Sequence, residues 1–203
     1  MRDRGISNPG AKAWIAATLA LCGAAALIWG LQSPDPAGQS AVAARTLGTV
    51  VLVIALLATA NYLYAQSLIG RMRLGEDVIG RWTVAPAAFA TFRDIERARK
   101  TRRNNWRVPG QDMPEGLEVI FTRRSVLAGN TWFRLAAKGT TRFSNARIED
   151  DVVPTIEFSM RLTIVGAGTL HQTARYKGHL RVPIADGATV EAARVVEYFR
   201  GLV

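Results

Sequence analysis

Seven basic side chains crowd one short run of this chain: Arg93, Arg97, Arg99, Lys100, Arg102, Arg103 and Arg107, against only Asp94 and Glu96. A run of that composition offers anion binding, with the headgroups of an anionic lipid leaflet as the first partner and nucleic acid as the second. Near an anionic leaflet each such residue contributes about 1 kcal/mol, an attraction that fades within a Debye length. The plain alternative is a solvated helix face. Trp106, beside the run, has three fates: insertion at a membrane interface, stacking on a base, or packing onto its own domain, which is the ordinary one.

No reaction centre accompanies the run. A zinc site needs three or four ligands, and after the hydrophobic segments the chain offers His171 and His179 with no cysteine. Both histidines are expected on the polar side of strands. A Ser–His–Asp arrangement needs a base oriented by a third group, and no spacing here proposes one; His171 with Ser159 or Asp151 is the nearest thing to it. Gly166-x-Gly168 lacks the third glycine of a dinucleotide fingerprint and joins two strands instead of opening a helix. Glu149-Asp150-Asp151 reads as a solvated acidic turn. The expectation is therefore no catalytic residue, no cofactor and no metal, in a protein that binds without catalysing.

What must position the basic run is set by two apolar stretches upstream. Thr46–Gly70 carries no charge between Arg45 and Arg71, and a helix of roughly 20 residues crosses a hydrocarbon core. In lipid a lone segment satisfies its backbone polar groups only as a helix. The earlier stretch, Ala13–Gln32, is rich in Ala and Gly and bracketed by Trp14 and Trp29, about 22 Å apart along a helix, as an aromatic belt at both interfaces requires. Small residues at four-residue spacing (Ala16, Ala20 and Ala24; Ala26 and Gly30) suit close helix approach. Ala41-Val42-Ala43 resembles a leader cleavage site, but it lies about a dozen residues past the apolar run, too far for the usual arrangement. An uncleaved pair of membrane helices, 13–32 and 46–70, joined by a connector over 33–45, is the expectation. Asn61 and Gln66 are expected to bond the other helix or water.

Charge then orients the pair. Arg2, Arg4 and Lys12 precede the first span against Asp3, and Arg71, Arg73 and Arg81 follow the second, whereas Asp35 and Arg45 cancel between them. The positive-inside rule places residues 1–12 and the domain 71–203 in the cytoplasm. Most of the formal charge of +10 sits in that domain. The lone Cys22 excludes an internal disulfide framework.

The domain reads as α+β. A first strand ends at Val84, and Pro86 suits the first turn of a helix over Ala87–Arg103, with Ala88, Phe89, Phe92 and Ile95 as its apolar stripe. Leu117, Val119 and Phe121 alternate as a strand, and Val126–Ala128 with Trp132–Leu135 flank Gly129-Asn130 as a hairpin. Thr141–Ile148 is a short strand. In Thr155–Val165, Ile156, Phe158, Met160, Leu162 and Ile164 alternate with Thr155, Glu157, Ser159, Arg161 and Thr163, one face buried and the other wet, as antiparallel sheets read. Leu170–Tyr176 and Leu180–Ile184 continue the alternation. Ala188–Gly201 closes the chain as a helix with Ala192, Val195, Val196 and Phe199 on one stripe.

This order resembles the uncharacterised bacterial membrane proteins with two helices and a cytosolic pleckstrin-homology-like domain. The resemblance rests on Gly75-Glu76…Gly80-Arg81-Trp82-Thr83, on the strand pair around Val126–Leu135, and on Val182-Pro183-Ile184-Ala185-Asp186-Gly187…Glu191-Ala192-Ala193 leading into the last helix. The helix at Ala87–Arg103 is an insertion in the plain seven-stranded version. The resemblance implies a binding or scaffolding role; with the apolar pair and the charge pattern, the expectation is an inner-membrane-anchored module whose antiparallel barrel or sheet, closed by a C-terminal helix, binds a protein partner or anionic lipid. A membrane-tethered nucleic-acid binder is the alternative, and an enzyme with an unrecognised site the third.

Overall fold

The structure, a computed structural model, describes residues 5–99, 101, 104–139, 141–165 and 173–203, with backbone only for 141, 162–165 and 173–176. The chain forms two compact units, residues 8–70 and a second one that joins Arg71–Val203 to the segment ending at Ser7.

The first unit is a pair of helices, α1 (Pro9–Gln32) and α2 (Gln39–Arg73, continuing into the second unit). Both are long and apolar enough to cross a membrane. Their boundaries differ from the expected ones. Pro9 starts α1 four residues early, since its fixed φ suits the first helical position. The connector shrinks to residues 33–38, because Gly38 is the last chain breaker and Arg45 folds back onto the carbonyls of Ala41 and Pro36. Ala41-Val42-Ala43 thus lies inside α2. The two helices meet along small residues, spaced by three, four or seven on α1 and mostly by seven on α2. Ala13, Ala16, Ala20, Gly23 and Gly30 are buried on α1, as are Ala41, Gly48, Ala55 and Ala65 on α2. That spacing is the seam of left-handed helix packing. Gly23 and Gly48 set the approach: a Cβ on Gly48 would stand 2.7 Å from the Leu27 nitrogen, and one on Gly23 2.8 Å from the Leu52 nitrogen. Ala24 and Ala26 of the expected pattern are only half-buried, because the true period shifts the face to Gly23. Gln66 lies against Gly10 of α1, whereas Asn61 is exposed. Large apolar side chains point outward, among them Leu21, Ile54 and Leu57, with Trp14 and Trp29 also exposed.

The second unit contains two antiparallel sheets. Strands β2 (Val78–Val84), β3 (Leu117–Thr122), β4 (Ser125–Ala128) and β5 (Thr131–Arg134) form a meander, extended at its β5 edge by the two-residue β1 (Ile6–Ser7). The segment expected as a free cytosolic tail therefore contributes a strand to the domain. Strands β6 (Thr141–Glu149), β7 (Thr155–Val165) and β8 (Thr173–Pro183) form the second sheet. Leu180–Ile184 is not a separate strand; β8 runs unbroken across the positions between it and Tyr176. Helix α3 (Pro86–Ala98) stands between β2 and β3, and α4 (Thr189–Arg200) ends the fold.

The core is aromatic. Phe199 of α4 meets Phe158 of β7 and Phe143 of β6 edge-on, at 5.2 and 5.4 Å between ring centres, and Phe121 of β3 at 6.5 Å. Edge-on pairs of this kind add about 0.5–1.5 kcal/mol beyond burial. All four residues of the α4 stripe are buried. The Trp82 indole donates to the Pro183 carbonyl at 2.9 Å, tying β2 to β8.

Candidate functional site

The basic run is split by the fold. Helix α3 ends at Ala98, five residues before the expected end, since Arg99 is extended (φ −66°, ψ 113°). The reason lies a few residues on. Asn104 pairs in parallel with His179 on the open edge of β8, and the Asn105 amide donates to the His179 carbonyl. The Asn104 side chain both donates to the Arg181 carbonyl at 2.8 Å and accepts from the Arg181 amide at 3.1 Å. Continuing the helix would forfeit these bonds. Gly178 permits the approach, because a Cβ there would meet the Asn105 amide group at 2.5 Å.

Each described member of the run has a distinct setting. Arg93 donates to Asp112 at 2.8 Å and to the Gly110 carbonyl at 3.2 Å. Arg97 is exposed beside Asp94, with a charge separation of 3.6 Å. Arg99 bonds Asp151 and stands 3.5 Å from Glu96. Arg107 is exposed. Lys100, Arg102 and Arg103 lie outside the described residues, as do His171 and Gly166-x-Gly168. Trp106 is buried at 2% exposure and stacks on Phe92 at 6.0 Å. It packs onto its own domain.

Sequence reasoning missed the ionic network beneath the run. The face of β7 expected to be wet is covered at one end: Thr155 and Glu157 are buried and Ser159 is half-buried, whereas Arg161 is exposed. Glu157 stands in register with Arg147 on β6 and Arg181 on β8, so three charges of alternating sign cross the sheet at one level. Arg147 donates to Glu157 at 2.9 Å and to Glu149 at 2.6 Å. The His179 Nδ1 also contacts Glu157. Arg181, fully buried, donates twice to Glu96 of α3 at 2.8 and 3.2 Å. Such charges remain buried only when paired, because desolvation of an isolated ion is costly.

The two carboxylates beside Arg147 are driven apart. Burial raises the Glu157 pKa, but hydrogen bonds from Glu149, Arg147 and His179, with the charge of Arg147, outweigh it and hold the group at about 2. Glu149 is pushed above the ordinary carboxylate range, first by its hydrogen bond to Glu157 and then by burial. Arg147 is raised by its bond to Glu157. Glu149 is thus the group that takes up a proton first. His179, expected as a surface residue, is half-buried and held by a carboxylate, as a general base would be. Among the described residues nothing hydrogen-bonds its other nitrogen. The network ties the sheet to α3.

A cleft of about 220 Å³ opens above it, lined by Arg93, Arg97, Arg99, Glu96, Asn104 and Trp106 with Val108. Among the described residues no three His, Cys, Asp or Glu side chains gather as a metal site would need. Comparison with family models, with curated proteins and with solved structures finds no match to this chain.

Proposed function

We infer that this protein is a non-enzymatic, bacterial inner-membrane module: a helical hairpin that anchors a cytosolic β-domain, which binds a protein partner or anionic lipid. The observation that carries the reading is the outward face of α1 and α2, where Leu19, Leu21, Ile54, Leu56 and Leu57 are all more than half exposed. Transfer of such a surface from water to hydrocarbon is favourable at about 25 cal/mol per Å². Both ends of the hairpin lead into one folded unit, which favours a single compartment for the two. The cationic flanks, Lys12 on one side with Arg71 and Arg73 on the other, favour the cytoplasm. Four meandering strands, then three, then a closing helix support a pleckstrin-homology-like domain carrying β1 and α3 as additions. A filled core and a histidine ring whose hydrogen-bond partner among the described residues is Glu157 favour binding over catalysis.

Alkaline carbonate extraction of membranes tests the anchor. The protein is expected to stay in the pellet and to leave it only with detergent. Release by carbonate alone would contradict an integral anchor.

A further inference from the structure

Among the described residues, three buried N–H groups around the cleft above the network have no hydrogen-bond acceptor: Arg93 Nε, Arg99 Nε and Trp106 Nε1. Each belongs to a side chain that can only donate. The Trp106 indole is the most telling, since its ring is 98% buried against Phe92 and no described group answers its N–H. A buried donor left unanswered is costly, so its persistence points to a ligand or solvent acceptor. Carboxylates are close, but serve other atoms. Asp94 and Glu96 stand 3.8 and 3.5 Å from the two Nε groups without forming hydrogen bonds, and Glu96 accepts from Arg181 behind the cleft. Asp112 and Asp151 take the outer guanidinium nitrogens of Arg93 and Arg99. Lining the opening, then, are three arginines against one committed carboxylate, with Arg97 60% exposed beside the mouth.

We propose that this cleft is a phosphate-group binding site, with Trp106, Arg93 and Arg99 donating to the oxygens and Arg97 closing over them. Each of these N–H groups can serve an oxygen of a tetrahedral anion, and charge-assisted bonds from guanidinium are the strong ones. Its volume is below the 300–1,000 Å³ range of sites that enclose drug-sized ligands; a single phosphoryl group of a larger molecule suits it. The group has two sources, a free phosphate or a lipid headgroup. The site is distinct from adhesion by the basic run as a whole, since it is built from buried donors. It stands whether or not the hairpin anchors the protein.

The full chain in neutral detergent, labelled with ¹⁵N on its tryptophan indoles, tests the site with inorganic phosphate against chloride at matched ionic strength. The resonance missing from Trp106→Phe identifies Trp106, and it is expected to shift saturably with phosphate while chloride leaves it in place. Arg97→Gln, at an exposed position that spares the fold, should weaken the response roughly tenfold. A Trp106 resonance that phosphate does not move, or a response undiminished in Arg97→Gln, overturns the proposal. Glycerophosphoglycerol, a soluble phosphodiester headgroup, separates the sources. A matching shift at similar concentration supports the site with a headgroup as occupant, and a shift with phosphate alone supports it with a free phosphate or monoester.

Discussion

Glu96 of α3 and Arg181 of β8 form a two-bonded ion pair sealed from solvent, with the arginine side chain at 0% exposure and the glutamate at 5%. This pair fastens the inserted helix onto the second sheet. Removing the carboxylate leaves a buried guanidinium without its main counter-charge, at a cost of about 3–5 kcal/mol. Glu96→Ala should therefore lower the melting midpoint of the full chain sharply. The double change Glu96→Leu with Arg181→Met should recover most of the loss, since apolar replacement of a buried pair is commonly tolerated. A single variant as stable as the parent would show that the pair is not sealed.

Acid should loosen the second sheet through Glu157. Its pKa of about 2 lies below the ordinary 4.5, so its contribution is fully present above about 4.5 and is lost as pH falls from there through 2. Glu149 works in the opposite sense. Its raised pKa stabilises the fold at pH below 4.5, and that contribution disappears as pH rises through the folded value. Melting across pH 2–7 should show Glu157→Gln less stable than the parent at neutral pH, with a flatter acid limb. Glu149→Gln should be as stable as the parent or more so at pH 7. Destabilisation at pH 7 by Glu149→Gln equal to that of Glu157→Gln would contradict the assignment.

The helical pair makes its own prediction. Gly48→Ile places side-chain atoms where backbone already stands within 3 Å, so the seam must open and the midpoint of the helical signal in detergent should fall. Gly70→Ile, where nothing lies within 4 Å, should cost no more than the ordinary price of a surface exchange. Equal midpoints for the two would mean that the helices do not meet at Gly48.

Much of the framework was legible because simple periods wrote it. The alternation of Ile156, Phe158 and Met160 and the stripe of Ala192, Val195, Val196 and Phe199 gave β7 and α4 with their buried faces. The apolar runs gave both long helices, though not their ends, since the polar turns at Pro9–Lys12 and Gln39–Arg45 continue as helix beyond the apolar part. The ionic network was not legible. Glu157, Arg147 and Arg181 lie far apart in sequence and become neighbours only through strand register, which alternation does not specify. Nor did the basic residues reveal that Asn104–Trp106 leaves the helix for the edge of β8. That choice rests on side-chain bonds from Asn104, which composition does not show. A strand whose polar face carries Glu between two strands each bearing Arg is the one signal that a register-aware reading would have used.

The central claim, a hairpin anchoring a cytosolic domain, is tested most directly by cysteine labelling in intact cells. In a Cys22→Ser background, Ala37→Cys marks the connector and Gln111→Cys an exposed loop of the domain. A membrane-impermeant maleimide should label position 37 in intact cells and position 111 only after the membrane is opened. Labelling of position 111 with position 37 protected, or of both in intact cells, would contradict the account.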